Sequence, residues 1–245
     1  MTGRGQSSVV GVALLVGITV VSLGALTAGV GVVVEEHASR ADAARVAGDI
    51  DAAIAPVETT GRHRGRVAFA DGSLRTVERD LRVWNASEGE AEIVERVRVG
   101  GLVFESGNRR VASVSGAVLR GRGGGATLRT PPPVTASTGD GNDGVLIVGA
   151  PRLGTGGVAV SGNGGTTATL RTNVTHDRTD LGRGTFAVSL ETATPGPLAS
   201  WFADRGARTR IEDTDGDGVP SVVARFDGER RAYLVVHEMR LEVGG

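Results

Sequence analysis

The sequence predicts an α+β protein in which one long N-terminal helix precedes a β-rich, sandwich-like head. An uncharged apolar run occupies residues 9–34, and a charged segment with helical periodicity follows it. Short alternating segments bounded by glycine turns make up most of the remaining chain. We therefore expect a leader peptide at residues 1–5, a helix at residues 6–55 and a globular head at residues 62–245.

The apolar run is long enough to cross a membrane. At about 1.5 Å per residue, residues 9–34 span roughly 39 Å as a helix, against a hydrocarbon core of about 30 Å. Arg4 precedes the run and Glu35 follows it directly. Because basic residues favour the cytoplasmic side, we expect a single-pass protein with a cytoplasmic N-terminus and an extracellular head.

Beyond the apolar run, the sequence predicts an amphipathic extension of the same helix. Val46, Ile50 and Ile54 recur at i, i+4 and i+8, which places them on one face. Pro56 is expected to end the helix, because proline lacks the N–H that helical bonding needs. The pattern also allows a broken helix followed by a surface segment.

Small residues share one stripe of the apolar helix. At about 100° per residue, five of them fall within roughly 60° of one another. They are Ala13, Gly17, Gly24, Ala28 and Gly31. Small residues let helices approach closely in lipid, so the stripe predicts a helix-packing face. Chance is the alternative, because the chain contains 39 glycines.

The N-terminus also carries a recognisable signal. Residues 4–20, from Arg4-Gly5-Gln6 into the apolar run, resemble the class III signal and N-terminal segment of haloarchaeal type IV pilin-like proteins. The resemblance implies that a prepilin peptidase cuts between Gly5 and Gln6. It also implies that the freed helix packs with other pilin-like subunits in a filament. Bacterial pilins carry Glu at the fifth mature position, where this chain has Val10, so a bacterial assembly mechanism is disfavoured and an archaeal one is not.

Composition excludes several other classes of protein. The chain has 245 residues and no cysteine, so an exported head cannot rely on disulfides. Its net charge of −1 provides no general attraction for nucleic acid. Aromatic residues amount to 3%, which argues against stacking platforms for single strands.

Within the head, local patterns predict particular elements. Asp71-Gly72 between two alternating segments predicts a tight hairpin. Residues 197–205, followed by Gly206, predict a short helix with a glycine stop. The Gly- and Pro-rich stretch around residue 135 either divides two subdomains or forms one long exposed loop, and we favour the loop.

One acidic motif is a weak calcium candidate. Asp213, Asp215 and Asp217 alternate as in the first half of a calcium loop, in which carboxylates converge on the ion. The position expected to hold a bidentate Glu is Ala224. A plain solvated turn between two strands is the preferred alternative, and no other cofactor is expected.

Two further patterns are weak or negative. Asn85-Ala-Ser87 and Asn173-Val-Thr175 match the acceptor pattern for N-glycosylation. The four histidines show no metal-ligand spacing, and no nucleophile–base motif is present in the sequence. We therefore expect a protein that is not an enzyme.

The sequence leaves two functions open. The first is a pilin-like structural subunit of an archaeal surface filament, and a minor one because the head is larger than a pilin requires. The second is a single-pass membrane-anchored binding or envelope protein that does not polymerise.

Overall fold

The computed structural model describes residues 5–86, 92–122, 125–137, 144–154 and 157–244. Helix α1 spans Gly5–Ile54, and the 3-10 helix Ala55–Glu58 follows it. The predicted long helix and its end before Pro56 are confirmed. Helix α2 spans Gly196–Ala203, as the local pattern predicts.

Fifteen strands are assigned within the described residues. They are β1 (Gly61–Val77), β2 (Asp80–Asn85), β3 (Glu92–Arg98), β4 (Gly101–Ser106), β5 (Arg109–Val114), β6 (Ala117–Arg122), β7 (Gly125–Thr130), β8 (Val134–Ala136), β9 (Gly144–Arg152), β10 (Ala159–Gly184), β11 (Phe186–Glu191), β12 (Ala207–Glu212), β13 (Ser221–Phe226), β14 (Arg230–Glu238) and β15 (Glu242–Gly244). The α+β class with one long N-terminal helix and a β-rich remainder is thereby confirmed.

The strands form two sheets. The large sheet has the order β7-β6-β5-β4-β1-β10-β14-β9-β8, with β15 also paired to β10. The small sheet has the order β12-β13-β11-β2-β3. Strands β9 and β14 pair in parallel, whereas the β1–β10 and β10–β14 pairs at the centre of the large sheet are antiparallel.

The chain divides into two compact units, residues 1–41 and residues 42–245. In the first unit the described residues are all helical and belong to α1. The second unit contains the last part of α1 together with both sheets and α2. This second unit is called the head below.

Two apolar cores lie on opposite faces of the large sheet. The helix core joins Val46 and Ile50 of α1 to strand residues such as Val118. The inter-sheet core joins Leu119 to the small sheet, for example to Val188. Successive side chains of a strand point to opposite faces, which explains why neighbours on β6 belong to different cores. The head is thus layered as helix, large sheet and small sheet.

Polar contacts accompany the apolar packing of α1. The Asp49 carboxylate accepts a hydrogen bond from the Ala68 N–H at 3.1 Å, and Asp42 accepts one from Ala70 at 3.0 Å. Gly65 of β1 lies so close to the helix that a Cβ there would be 2.4 Å from the Ala53 Cβ. Glycine at this position therefore permits the close approach of helix and strand.

The predicted hairpin at Asp71-Gly72 is wrong. Strand β1 runs straight through both residues, with only a bulge against β10 between Phe69 and Asp71. Gly72 has φ of +138°, and a Cβ there would lie 2.5 Å from the Glu105 carbonyl oxygen. The glycine therefore permits the close approach of β4 and does not form a turn. A local sequence pattern does not distinguish these two roles of glycine.

The packing of α1 predicts where the head can be separated from the apolar segment of the helix. A fragment of residues 35–245 should fold and remain soluble, because it keeps the whole helix core. A fragment of residues 56–245 should aggregate. It loses Val46, Ile50 and Ile54, each worth about 1.5–3 kcal/mol of burial, which together approach the net stability of about 5–15 kcal/mol typical of a domain.

Circular dichroism and size-exclusion chromatography on both fragments check this prediction. A cooperative unfolding transition for the fragment of residues 56–245, similar to that of the longer fragment, would contradict it.

Candidate functional site

The first part of α1 is an apolar surface that nothing in the described structure covers. Every side chain described between residues 10 and 34 is exposed, and Val21 reaches 72% exposure. Within the described residues, this helix is long and apolar enough to cross a membrane.

The predicted small-residue stripe lies on this surface. A Cβ built at Gly17, Gly24 or Gly31 meets nothing within 4 Å, and Ala13 and Ala28 are exposed. The stripe is therefore accessible along its whole length. Its role in helix packing stays a prediction.

The hydroxyl groups of this segment are satisfied by the helix itself. Thr27 Oγ1 donates to the Leu23 carbonyl at 2.8 Å, and Thr19 Oγ1 reaches the Leu15 carbonyl at 3.0 Å. Such internal hydrogen bonds suit a segment that has no water around it.

The expected processing site stands at the start of the described chain. Gly5 is the first residue of α1 and Gln6 follows within it. The rest of the leader, residues 1–4, lies outside the described residues. Cleavage after Gly5 stays a prediction.

A buried charge cluster forms a second unusual feature, and sequence reasoning missed it. Arg82 of β2 is only 1% exposed. Its Nη2 lies 2.8 Å from Glu191 Oε1, 3.1 Å from Asp80 Oδ2 and 2.5 Å from Asp215 Oδ2. Its Nη1 donates to Thr214 Oγ1 at 2.8 Å. The signal available was the position of Arg82 between two apolar residues of β2, Leu81 and Val83.

Further contacts complete this cluster. The Asp80 N–H donates to Glu191 Oε2 at 3.0 Å, and Arg96 Nε donates to Asp80 Oδ2 at 2.7 Å. Burial raises the pKa of the Glu191 carboxyl, although the Asp80 N–H and Arg82 act in the opposite direction. Oxygens of Asp80, Glu191 and Asp215 lie close enough to hold a metal ion, but the Arg82 guanidinium already supplies the compensating cation there.

The predicted calcium loop is an ordered turn between β12 and β13, which pair in an antiparallel hairpin. Oxygens of Asp213, Asp215 and Asp217 lie within 4.8 Å of one another. Asp213 accepts N–H bonds from Gly216 at 2.8 Å and Gly218 at 2.9 Å. These bonds lower the pKa of its carboxyl. Calcium binding stays a prediction, and Asp215 would have to share its carboxylate with Arg82.

The two glycosylation candidates lie on strands. Asn85 ends β2, while Ser87 of its acceptor pattern lies outside the described residues. Asn173 lies within β10, and its N–H donates to the Met239 carbonyl at 2.7 Å. Thr175 of the second pattern is exposed. Use of either site stays a prediction.

Two histidines that are distant in sequence meet across β10 and β14. His176 and His237 are directly paired, and their Nδ1 atoms lie 2.9 Å apart. Burial lowers the pKa of the His237 ring, and the neighbouring His176 lowers it further, while Glu58 and a hydrogen bond to Val57 raise it. The folded protein therefore favours the neutral form of His237.

Replacing Arg82 should destabilise the head strongly. Arg82→Met leaves Asp80, Glu191 and Asp215 without their common partner, and uncompensated buried charge costs about 3–5 kcal/mol. Arg96→Met is the matched control: its side chain is 53% exposed, so we expect a loss of about 1 kcal/mol or less. Urea unfolding of the 35–245 fragment measures both values, and equal losses would contradict the assignment.

Burial of neutral His237 predicts a pH-dependent stability. The pKa of His237 in the folded state lies below the unfolded value of about 6.5. Its contribution to the free energy of unfolding is therefore complete above about pH 6.5 and is lost as the pH falls from there through the folded pKa. His237→Gln should flatten this loss, whereas His37→Gln should not, because His37 is exposed. Unfolding free energies of the 35–245 fragment between pH 8 and pH 5 test the prediction, and an unchanged slope in His237→Gln would refute it.

These features define an α+β protein with one long apolar N-terminal helix and a β-rich domain of two sheets. The chain belongs to a family of unknown function, DUF7289, which it matches over residues 4–242. No curated protein and no solved structure matches the chain. The matched range includes both the apolar part of α1 and nearly all of the head.

Proposed function

We propose that this protein is a type IV pilin-like structural subunit, and a minor one, of an archaeal-type surface filament. One observation carries the proposal. A single helix, α1, is covered by the sheet at its C-terminal part, where Val46 and Ile50 are fully buried, and is uncovered and apolar at residues 10–34. Catalysis is not part of this role.

The uncovered segment needs an apolar environment. Exposed apolar surface costs about 25 cal/mol per Å² in water, and every side chain described at residues 10–34 is exposed. A lipid bilayer before assembly and neighbouring helices after it would both cover this surface. The proposed subunit therefore passes from membrane to filament without leaving an apolar environment.

The small-residue stripe supports packing against neighbouring helices. Leu, Ile and Val are sufficient for insertion into lipid, and insertion itself does not require small residues on one side. Close helix packing does require them. Gly17, Gly24 and Gly31 share the stripe with Ala13 and Ala28, which suits contact with other pilin-like subunits.

The proposed maturation begins at the membrane. A prepilin peptidase cleaves between Gly5 and Gln6 on the cytoplasmic side, and the head stands outside the cell. The absence of charge from residues 9–34 and the return of charge at Glu35 agree with this topology. A single-pass anchored binding or envelope protein that does not polymerise is the competing function.

Material sheared from the cell surface distinguishes the two functions. For the unmodified protein, mass spectrometry of the membrane and sheared fractions should find a mature chain that starts at Gln6 in both. The double variant Gly17→Ile/Gly24→Ile should keep the Gln6 start in membranes and disappear from the sheared fraction, because added side chains block helix approach.

The control is Gly11→Ile/Gly29→Ile. It makes the same change in the same helix, but both positions lie about 160° from Ala13, outside the stripe. This control should remain in the sheared fraction. An intact Met1 start with no sheared material would favour the anchored binding protein, and equal behaviour of the two double variants would contradict the packing face.

A further inference from the structure

Two histidine rings meet on the face of the large sheet that the helix core covers. His176 of β10 and His237 of β14 are directly paired, and their Nδ1 atoms lie 2.9 Å apart. Val174 and Met239, two residues away on the same two strands, belong to the helix core. Because side chains two residues apart share a face of a strand, the histidine pair lies at the border of this core.

One ring of this pair is fixed and the other is open to solvent. His237 is only 8% exposed, and its ring forms a hydrogen bond to the Val57 backbone. A hydrogen bond from the ring to a backbone oxygen typically fixes the orientation of a histidine that binds a metal. His176 is exposed. An ion from solvent can therefore reach an oriented nitrogen of His237 from the side of His176.

The charges around the pair suit a cation. Burial, and then the neighbouring His176, lower the pKa of His237, so its ring offers a lone pair at neutral pH. The exposed Glu58 acts in the opposite direction on that pKa, which indicates negative charge close to the ring. Arg178 shares the face of His176, but its guanidinium stacks on the Tyr233 ring at 4.2 Å. A metal ion here would therefore meet two ring nitrogens and a nearby carboxylate.

The separation of the two nitrogens selects the kind of ion. Two imidazole nitrogens that bind one ion at about 2.0 Å lie about 2.8 Å apart when the angle at the ion is a right angle, and about 3.3 Å apart in a tetrahedron. The observed 2.9 Å matches the right angle. Right-angled sites of nitrogen and oxygen ligands are typical of Cu²⁺ and Ni²⁺, and Cu²⁺ is bound more tightly than Ni²⁺. Tetrahedral Zn²⁺ would require the rings to move apart.

The hydrogen between the two rings does not prevent metal binding. In the absence of a metal, one Nδ1 carries a hydrogen and donates it to the other Nδ1. A neutral imidazole holds its hydrogen on either nitrogen, so this hydrogen moves to the Nε2 of the same ring when an ion takes its place. Both Nδ1 lone pairs are then available to the ion, and the charge of the rings does not change.

We propose that His176 and His237 bind one Cu²⁺ ion through their Nδ1 atoms. Glu58 supplies a carboxylate oxygen as the third ligand, and solvent completes the site. Sequence spacing does not indicate this site, because the histidines are 61 residues apart and the pairing of β10 with β14 brings them together. The site does not depend on filament assembly, so the failure of either proposal leaves the other unaffected.

Isothermal titration calorimetry on the full chain in detergent micelles, without a histidine tag, tests the proposal. Cu²⁺ should bind to a single strong site with Kd of about 10 μM or lower, and Zn²⁺ at least about tenfold more weakly. Electron paramagnetic resonance of the Cu²⁺ form should show coupling to two nitrogen nuclei. Equal affinity for Zn²⁺, or a spectrum without nitrogen coupling, would contradict the assignment.

Variants separate this pair from other histidines. His176→Asn and His237→Asn should each weaken Cu²⁺ binding about tenfold or more, because each removes one of the two nitrogen ligands. His37→Asn is the matched control, since it removes an exposed histidine of α1 outside the pair, and it should leave the affinity unchanged.

Thermal unfolding confirms that each variant is folded. His176→Asn keeps the test decisive even where the buried His237→Asn variant fails to fold, because His176 is exposed. Unchanged Cu²⁺ affinity in His176→Asn, or an equal loss of affinity in His37→Asn, would overturn the proposal.

Discussion

The packing of the last turns of α1 against the large sheet is the interaction on which the rest of the structure depends. Val46 and Ile50 are completely buried, and Asp49 accepts a backbone hydrogen bond from β1. Strand β1 lies between β4 and β10 near the centre of the sheet order. The end of the helix is therefore a component of the head, and its apolar face is part of a domain core rather than a tether.

The two parts of α1 have different surface patterns. Residues 10–34 are apolar on all sides, as suits lipid or a bundle of helices, whereas residues 42–54 are apolar on one face only. The change in pattern lies close to Glu35, where charge first returns. The first pattern agrees with the membrane and filament role proposed above, and the second makes residues 42–54 part of the core of the head.

Periodicity and composition were enough to predict α1, its end before Pro56, and a β-rich domain. They could not predict contacts between residues that are far apart in the chain. The hydrogen bond from the Asp80 N–H to Glu191 joins positions 111 residues apart, and the meeting of His176 with His237 depends on strand order. The hairpin prediction at Gly72 was wrong for a related reason. A glycine that is required because a neighbouring strand lies close to it has the same local sequence pattern as a glycine in a turn. The small-residue stripe was visible because it lies within one helix.

The helix core has a consequence for how the chain reaches its folded state. Met239 is buried in this core beside the helix, and the Leu241 N–H donates to the Leu153 carbonyl at 2.7 Å. The first and last parts of the head therefore complete one core together. Contacts so distant in sequence form slowly, because a long loop must close before they stabilise anything. Since synthesis proceeds from the N-terminus, the core around the amphipathic part of α1 stays incomplete until the segment that carries Met239 and Leu241 has been made.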